Sequence, residues 1–321
     1  MLGTRTKRNI MMYVAIILAI VAMGVGALFL RDMASARARL SGRTEYLATI
    51  YGDVEYALVG EGDPVLVVHG AGGGFDQGLD MIGPLAAFGY RLIAPSRFGY
   101  LGSALPDRLS TGMQADAYVT LLDHVGIKRA AVIGVSAGAW SSIEFAIRHP
   151  ERCRALVLLV PAEYLPEGVS IRGGAMVKAI ISSDFVAWST LKLRPLIPGG
   201  LARMMLGTNV AVVGAAAPEE KKRLEQVLNH LLPVSPRSSG MQFDIKVAAA
   251  HKPCALEQIA CPVLTVSAED DRFGTAARAR FIAEKVKNGA AVIFPTGGHA
   301  LVGRFNETLD TIVGFLKRNE G

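Results

Sequence analysis

Cysteine is scarce in this chain of 321 residues: there are three, Cys153, Cys254 and Cys261. So few thiols in so long a chain exclude a disulfide framework. They leave one conceivable bridge, Cys254–Cys261, or simply three small buried hydrophobes. Metal-binding patterns are missing as well, with no HExxH, no paired CxxC and no EF-hand loop, so neither metal nor cofactor is expected. Charged residues are few, 19% against 51% hydrophobic, which excludes an intrinsically disordered chain. The net charge of +6 is not spread over the body. Seven of the 34 Lys/Arg and one of the 28 Asp/Glu lie in residues 1–43, leaving the rest of the chain with equal numbers of each. A neutral body carries no nucleic-acid footprint, and no such partner is expected.

What the chain does have is a long apolar run at its N-terminus. Ile10 to Leu30 hold no charged side chain, and as a helix they would span roughly 30 Å, the hydrocarbon thickness of a bilayer. The leading reading is a retained single-pass anchor over residues 1–43. A rival is a signal peptide cleaved near Ala34-Ser35-Ala36, giving a secreted protein. Against it, the run exceeds the usual h-region, and Arg31 and Asp32 intervene before that site. A core helix is disfavoured because no polar face exists. Arginines on both sides leave orientation open, and the convention for such anchors puts the body on the non-cytoplasmic side.

Strand and helix signals then alternate. Thr44–Ile50 and Val54–Val59 read as paired strands, followed by apolar strands at Val65–Val68, Arg91–Pro95, Ala130–Gly134, Ala155–Val160, Pro262–Ser267 and Ala290–Pro295. Helices are expected over 76–88, 115–125, 137–148, 275–287 and 300–318. Short continuous apolar strands between helices predict an α/β class fold with a mostly parallel, doubly wound sheet. The rhythm stops from Pro161 to Ala260, which predicts a helical insertion at 161–260 into a core of 44–160 and 261–321.

Four places carry chemistry. Gly134-Val135-Ser136-Ala137-Gly138 is G-x-S-x-G between a strand and a helix, the context of a nucleophile elbow. His69-Gly70-Ala71-Gly72-Gly73-Gly74 follows a strand, where backbone amides can turn towards that serine. It fits neither G-x-G-x-x-G nor Walker A. Asp270-Asp271 follows one late strand and His299 the next. A serine needs a base, and the imidazole needs a carboxylate to set its tautomer. His124, His149, His230 and His251 lack such placement and read as surface or packing residues.

These residues resemble the α/β-hydrolase superfamily over about 44–320, together with Arg97-Phe98-Gly99-Tyr100-Leu101-Gly102-Ser103 and His149-Pro150-Glu151-Arg152. The resemblance implies Ser136 as nucleophile, His299 as base and Asp271 as acid, with Asp270 and Glu163 as other acids. It implies Ala71 and Ala137 as oxyanion-hole amides, with Gly72 beside them. Ser96 departs from the family's frequent Asp, and Ala300 from the Trp of many ring-fission hydrolases. Phe185-Val186-Ala187-Trp188, Leu196–Gly200, Met204-Met205 and Val210–Val213 would then be an apolar lid or ordinary helix packing. Lys221-Lys222-Arg223 reads as a solvated face beside Glu219-Glu220.

The expected function is a membrane-anchored serine hydrolase acting on a small or lipophilic carboxylic ester. Alternatives sharing the same residues are a carbon–carbon bond hydrolase of ring-cleavage products and a cofactor-free haloperoxidase-like enzyme. From another class comes a non-catalytic small-molecule receptor.

Overall fold

A computed structural model describes residues 4–163, 179–194, 206–250 and 253–320. The chain divides into two units, Met1–Ser41 and Gly42–Gly321. The first is a single helix, Thr4–Leu40, whose span from Arg8 is long and apolar enough to cross a bilayer, with a mean hydropathy of 2.6.

The second unit is built on an eight-stranded sheet. Its strands are β1 (Glu45–Thr49), β2 (Gly52–Val59), β3 (Asp63–Val68), β4 (Tyr90–Pro95), β5 (Ala130–Val135), β6 (Cys153–Leu159), β7 (Val263–Ala268) and β8 (Gly289–Phe294). They lie in the order β1-β2-β4-β3-β5-β6-β7-β8. β1 and β2 pair antiparallel, as do β2 and β4, and every other pairing is parallel. Composition explains the arrangement. Every residue of β5 is buried, as are Val65–Val68 of β3, because helices cover both faces of a parallel sheet. The edge strand β1 is largely solvent-facing and carries Glu45, Tyr46 and Thr49. The fold is the expected α/β class, mostly parallel.

Boundaries differ from the sequence reading in instructive ways. The helix expected over 76–88 is α-helical only over Phe75–Ile82 and tightens to a 3-10 turn at Gly83–Phe88, where Pro84 has no amide to continue the ladder. The last helix begins at Phe305 rather than near 300, because Leu301 and Gly303 adopt left-handed backbone. The possible Cys254–Cys261 bridge is absent, and no cysteine forms a disulfide. Cys261, just before β7, instead meets Cys153 of β6, sulfur to sulfur at 3.6 Å, both buried as small apolar side chains.

Between β6 and β7 the described residues form the helices Asp184–Lys192, Val210–Ala215, Pro218–Asn229 and Ser238–Ala250. Trp188 and Leu191 are buried while Phe185 is half exposed. Leu196–Gly200, Met204-Met205 and His251 lie outside the described residues.

Candidate active site

Chemistry gathers where parallel strands end. His69 follows β3, Arg97 follows β4, Ser136 follows β5, Asp271 follows β7 and His299 follows β8, all at the carboxyl edge of the sheet. In an open α/β sheet this edge is where ligands bind. Backbone strain collects there as well: among the described residues, the non-glycine positions with positive φ are Leu101, Ser136, Val160 and Leu301. Each lies past the end of a strand, and such strain persists only where the surroundings enforce it.

Ser136 is the sharpest case, at φ 48° in the turn between β5 and the helix Gly138–Arg148. The turn is held from three sides. The Ser136 amide donates to the Leu159 carbonyl at 2.9 Å, and the Ser136 carbonyl accepts from Ala139 at 2.9 Å and Ala162 at 3.1 Å. Gly138 permits the close packing beneath it, since a Cβ there would meet the Val68 and His69 carbonyl oxygens at 2.6 Å.

Three of the predicted side chains form one hydrogen-bonded chain. His299 Nε2 lies 3.0 Å from Ser136 Oγ, and His299 Nδ1 lies 2.8 Å from Asp271 Oδ2. Asp271 is buried and also accepts from the Phe273 amide at 2.9 Å and from the Thr275 hydroxyl. Burial alone would raise its pKa, but the hydrogen bond and charge of His299, helped by Thr275 and Phe273, outweigh it and hold the carboxyl below its ordinary value. The imidazole meets the edge of the Phe273 ring, centroids 4.8 Å apart.

The other two carboxylates do different work. Asp270 Oδ1 accepts the Gly298 amide at 2.8 Å and so anchors the turn that carries His299. Glu163 is buried, and its carbonyl receives Arg278 Nε at 2.7 Å. The remaining histidines sit elsewhere: His149 on Asp116, His230 on Asp80, and His124 edge-on to Tyr56.

The glycine loop 70–74 lies against the serine. A Cβ on Gly70 would be 3.2 Å from Ser136 Cβ. Two of its amides are spoken for: Gly70 donates to Gln77 Oε1 at 3.0 Å and Gly73 to the Gly70 carbonyl at 3.4 Å. Among the described residues, the amides of Ala71 and Ala137 have no acceptor in the protein. Two unpaired donors beside a serine hydroxyl can receive negative charge developing on a carbonyl oxygen.

The loop's foundations were not anticipated from sequence. His69 is fully buried; its Nε2 faces the Arg97 amide at 2.8 Å and must accept, so Nδ1 carries the proton and donates to the Gly70 carbonyl at 2.7 Å. Burial, then the nearby Arg97 charge, push its pKa well down, so the ring stays neutral. Two buried ion pairs cross between the core and the helical insertion. Arg97 grips Asp244 at 2.8 and 2.6 Å, and Arg237 grips Asp76 at 3.0 and 2.7 Å. Arg237 and Asp244 sit in a stretch read only as helical packing. The one available signal was an arginine and an acid seven residues apart in a helical stretch, too common a pattern to single out. Ser96, where the family often has Asp, receives its carboxylate from another strand: its hydroxyl donates to buried Glu55 of β2 at 2.7 Å.

Comparison with known proteins agrees with this architecture. The family model described as the alpha/beta hydrolase fold matches residues 63–303. An uncharacterized hydrolase of Bacillus subtilis (strain 168) is 28% identical over 287 residues, covering 86% of this chain and 99% of its own. A 2-hydroxy-6-oxononadienedioate/2-hydroxy-6-oxononatrienedioate hydrolase of Paraburkholderia xenovorans (strain LB400) is 28% identical over 269 residues, 77% of this chain and 84% of its own. Among solved structures, an alpha/beta hydrolase fold protein from Nakamurella multipartita superimposes with a TM-score of 0.69 at 28% identity, covering 87% of this chain and 100% of the other. The chain belongs to the α/β-hydrolase family and is a hydrolase.

Proposed function

We propose that the protein is a serine hydrolase that cleaves carboxylic esters through an acyl-enzyme. The observation that carries this reading is the chain Asp271–His299–Ser136, with the amides of Ala71 and Ala137 left without an acceptor among the described residues. Ser136 Oγ attacks the ester carbonyl and passes its proton to His299 Nε2. The carbonyl oxygen becomes an oxyanion and accepts from the Ala71 and Ala137 amides. Asp271 keeps the Nδ1 proton in place and balances the imidazolium. The alkoxide leaves with the proton from His299, and water activated by the same ring releases the acid. The helical insertion at 161–260 would close over the substrate as a cap.

A second reading, hydrolysis of a carbon–carbon bond, is favoured by the likeness to the Paraburkholderia hydrolase. A dianionic dienol substrate needs cations, however, and the two arginines flanking the glycine loop are already gripped by Asp244 and Asp76. An ester needs none. We further place the helix Thr4–Leu40 in a membrane as the protein's anchor, with the body on the non-cytoplasmic side. Intact mass of the mature protein distinguishes this from cleavage near Ala34-Ser35-Ala36.

The test is hydrolysis of p-nitrophenyl esters of increasing acyl length by the full chain in detergent, beside Ser136→Ala. Turnover should fall by roughly three orders of magnitude or more in the variant. Retained activity in Ser136→Ala overturns the mechanism. Turnover of a dienol dioic acid without any ester turnover selects the second reading.

A further inference from the structure

Asp244 stands on the helix Ser238–Ala250 of the insertion, yet the partners of its carboxylate, Arg97 and Tyr100, belong to the core. Its carboxylate is buried, with 5% side-chain exposure, and takes both terminal nitrogens of Arg97 in a bidentate pair. It also receives the Tyr100 hydroxyl. Both partners then bear on the glycine loop. Arg97 Nη2 donates to the Gly70 carbonyl at 3.2 Å, beside the 2.7 Å bond from His69 Nδ1. The Tyr100 ring packs edge-on against the His69 ring that holds the same carbonyl, centroids 4.7 Å apart, and burial and Asp244 push its hydroxyl pKa well up so that it keeps its proton.

These contacts act on the first of the two peptide units that bracket Ala71. In a trans peptide the C=O of one residue and the N–H of the next point in opposite directions. Fixing the Gly70 carbonyl on Arg97 and His69 therefore aims the Ala71 amide the other way, out of the buried cluster. Gln77 Nε2, donating to the Ala71 carbonyl at 3.4 Å, holds the unit on the other side. With both neighbouring planes set, the Ala71 amide has one orientation, and among the described residues it has no acceptor.

We infer that Asp244 is a positioning residue of the reaction: through Arg97 and Tyr100 it orients the Ala71 amide as an oxyanion donor, so the insertion completes the catalytic centre as well as covering it. This rests on the ester-hydrolase reading for its assay but not for its logic, since any attack by Ser136 on an electrophile that develops an oxyanion needs the same donor. Backbone bonds between insertion and core hold Asp244 in register: Gly240 donates to the Gly99 carbonyl at 2.8 Å and Leu101 to the Pro236 carbonyl at 2.6 Å.

The experiment compares the full chain with Asp244→Asn, Asp244→Ala and Tyr100→Phe, reading kcat, KM, melting temperature and inhibition by an alkyl trifluoromethyl ketone, whose hemiketal oxyanion occupies the same hole. Losing an oxyanion donor outright costs about 10²- to 10³-fold in kcat, and a misaimed donor should cost less, about 10- to 100-fold. Asp244→Ala is expected at the severe end and Asp244→Asn between it and wild type, because Asn still accepts one bond. Tyr100→Phe, which deletes one hydroxyl, should fall roughly 3- to 10-fold. In all three KM should stay within about 3-fold, while ketone affinity falls by the same factor as kcat. Folded variants with unchanged kcat, or with kcat lowered while ketone affinity holds, overturn the proposal. If both Asp244 variants fail to fold, Tyr100→Phe decides alone on the same readouts. The rate of Ser136 phosphonylation by a fluorophosphonate separates the two hypotheses. A wild type that hydrolyses no ester but is phosphonylated refutes the ester reading, and slower phosphonylation of the variants still upholds the role of Asp244.

Discussion

Three histidine–aspartate pairs among the described residues look alike as pairs. His299 meets Asp271 at 2.8 Å, His149 meets Asp116 at 2.8 Å, and His230 meets Asp80 at 2.5 Å. What differs is everything around them. Asp271 has no exposed side-chain surface and takes three donors, so it is pre-set before any substrate arrives. Asp116 is a quarter exposed and shares itself with Arg148 on the helical flank. The first imidazole has its second nitrogen on a serine. The pair itself is therefore a common contact. What sets the first apart is a buried carboxylate, a strand end on each side and a serine hydroxyl within hydrogen-bond reach.

That contrast also explains what could be read from sequence. The strand ends were legible because apolar runs such as Val65–Val68 and Ala130–Gly134 stop at glycines, and the order Ser136, Asp271, His299 along them was enough to separate His299 from His149 and His230. The supports were not legible. Arg97–Asp244 and Asp76–Arg237 join residues about 150 apart, and burial of a charge is a property of the folded neighbourhood rather than of local pattern. Helix ends were legible only roughly, as at Phe305, because left-handed backbone at Leu301 carries no compositional mark.

The largest test of the comparison removes charge from the buried pair. Asp271→Asn keeps the shape but presents an amide to His299, favouring the wrong tautomer. We expect kcat to fall by roughly 10³- to 10⁴-fold with KM little changed. A loss under tenfold in steady-state ester hydrolysis would mean that Asp271 is no more consequential than its surface counterparts.

A finer test leaves the pair and strips one of its supports. Thr275 donates to Asp271 and shares a 2.7 Å bond with the Ser267 hydroxyl. Thr275→Val conserves volume and deletes the donor, which should let the Asp271 pKa rise and free the carboxylate to rotate. A drop of about 5- to 30-fold in kcat is expected, on the scale of about 1–2 kcal/mol for one hydrogen bond to a charged group. Unchanged kcat would show that His299 and the Phe273 amide suffice to hold the acid.

The smallest effect belongs to the flank. Burial raises the pKa of Asp116, but hydrogen bonds from Arg148 and His149 outweigh it and hold the carboxyl below its ordinary value. A depressed carboxylate stabilises the fold above its unfolded pKa, near 3.9, and loses that contribution as pH falls through the lower folded value. Asp116→Asn should therefore cost less than about 1 kcal/mol in urea unfolding at pH 7, and the gap to wild type should close as pH drops below about 4. Ester turnover should not change, because Asp116 lies outside the chain that reaches Ser136. A larger loss at pH 7, or a gap that persists in acid, would mean that the Asp116 side chain contributes through packing rather than charge, and that burial separates the three pairs less sharply than their exposures imply.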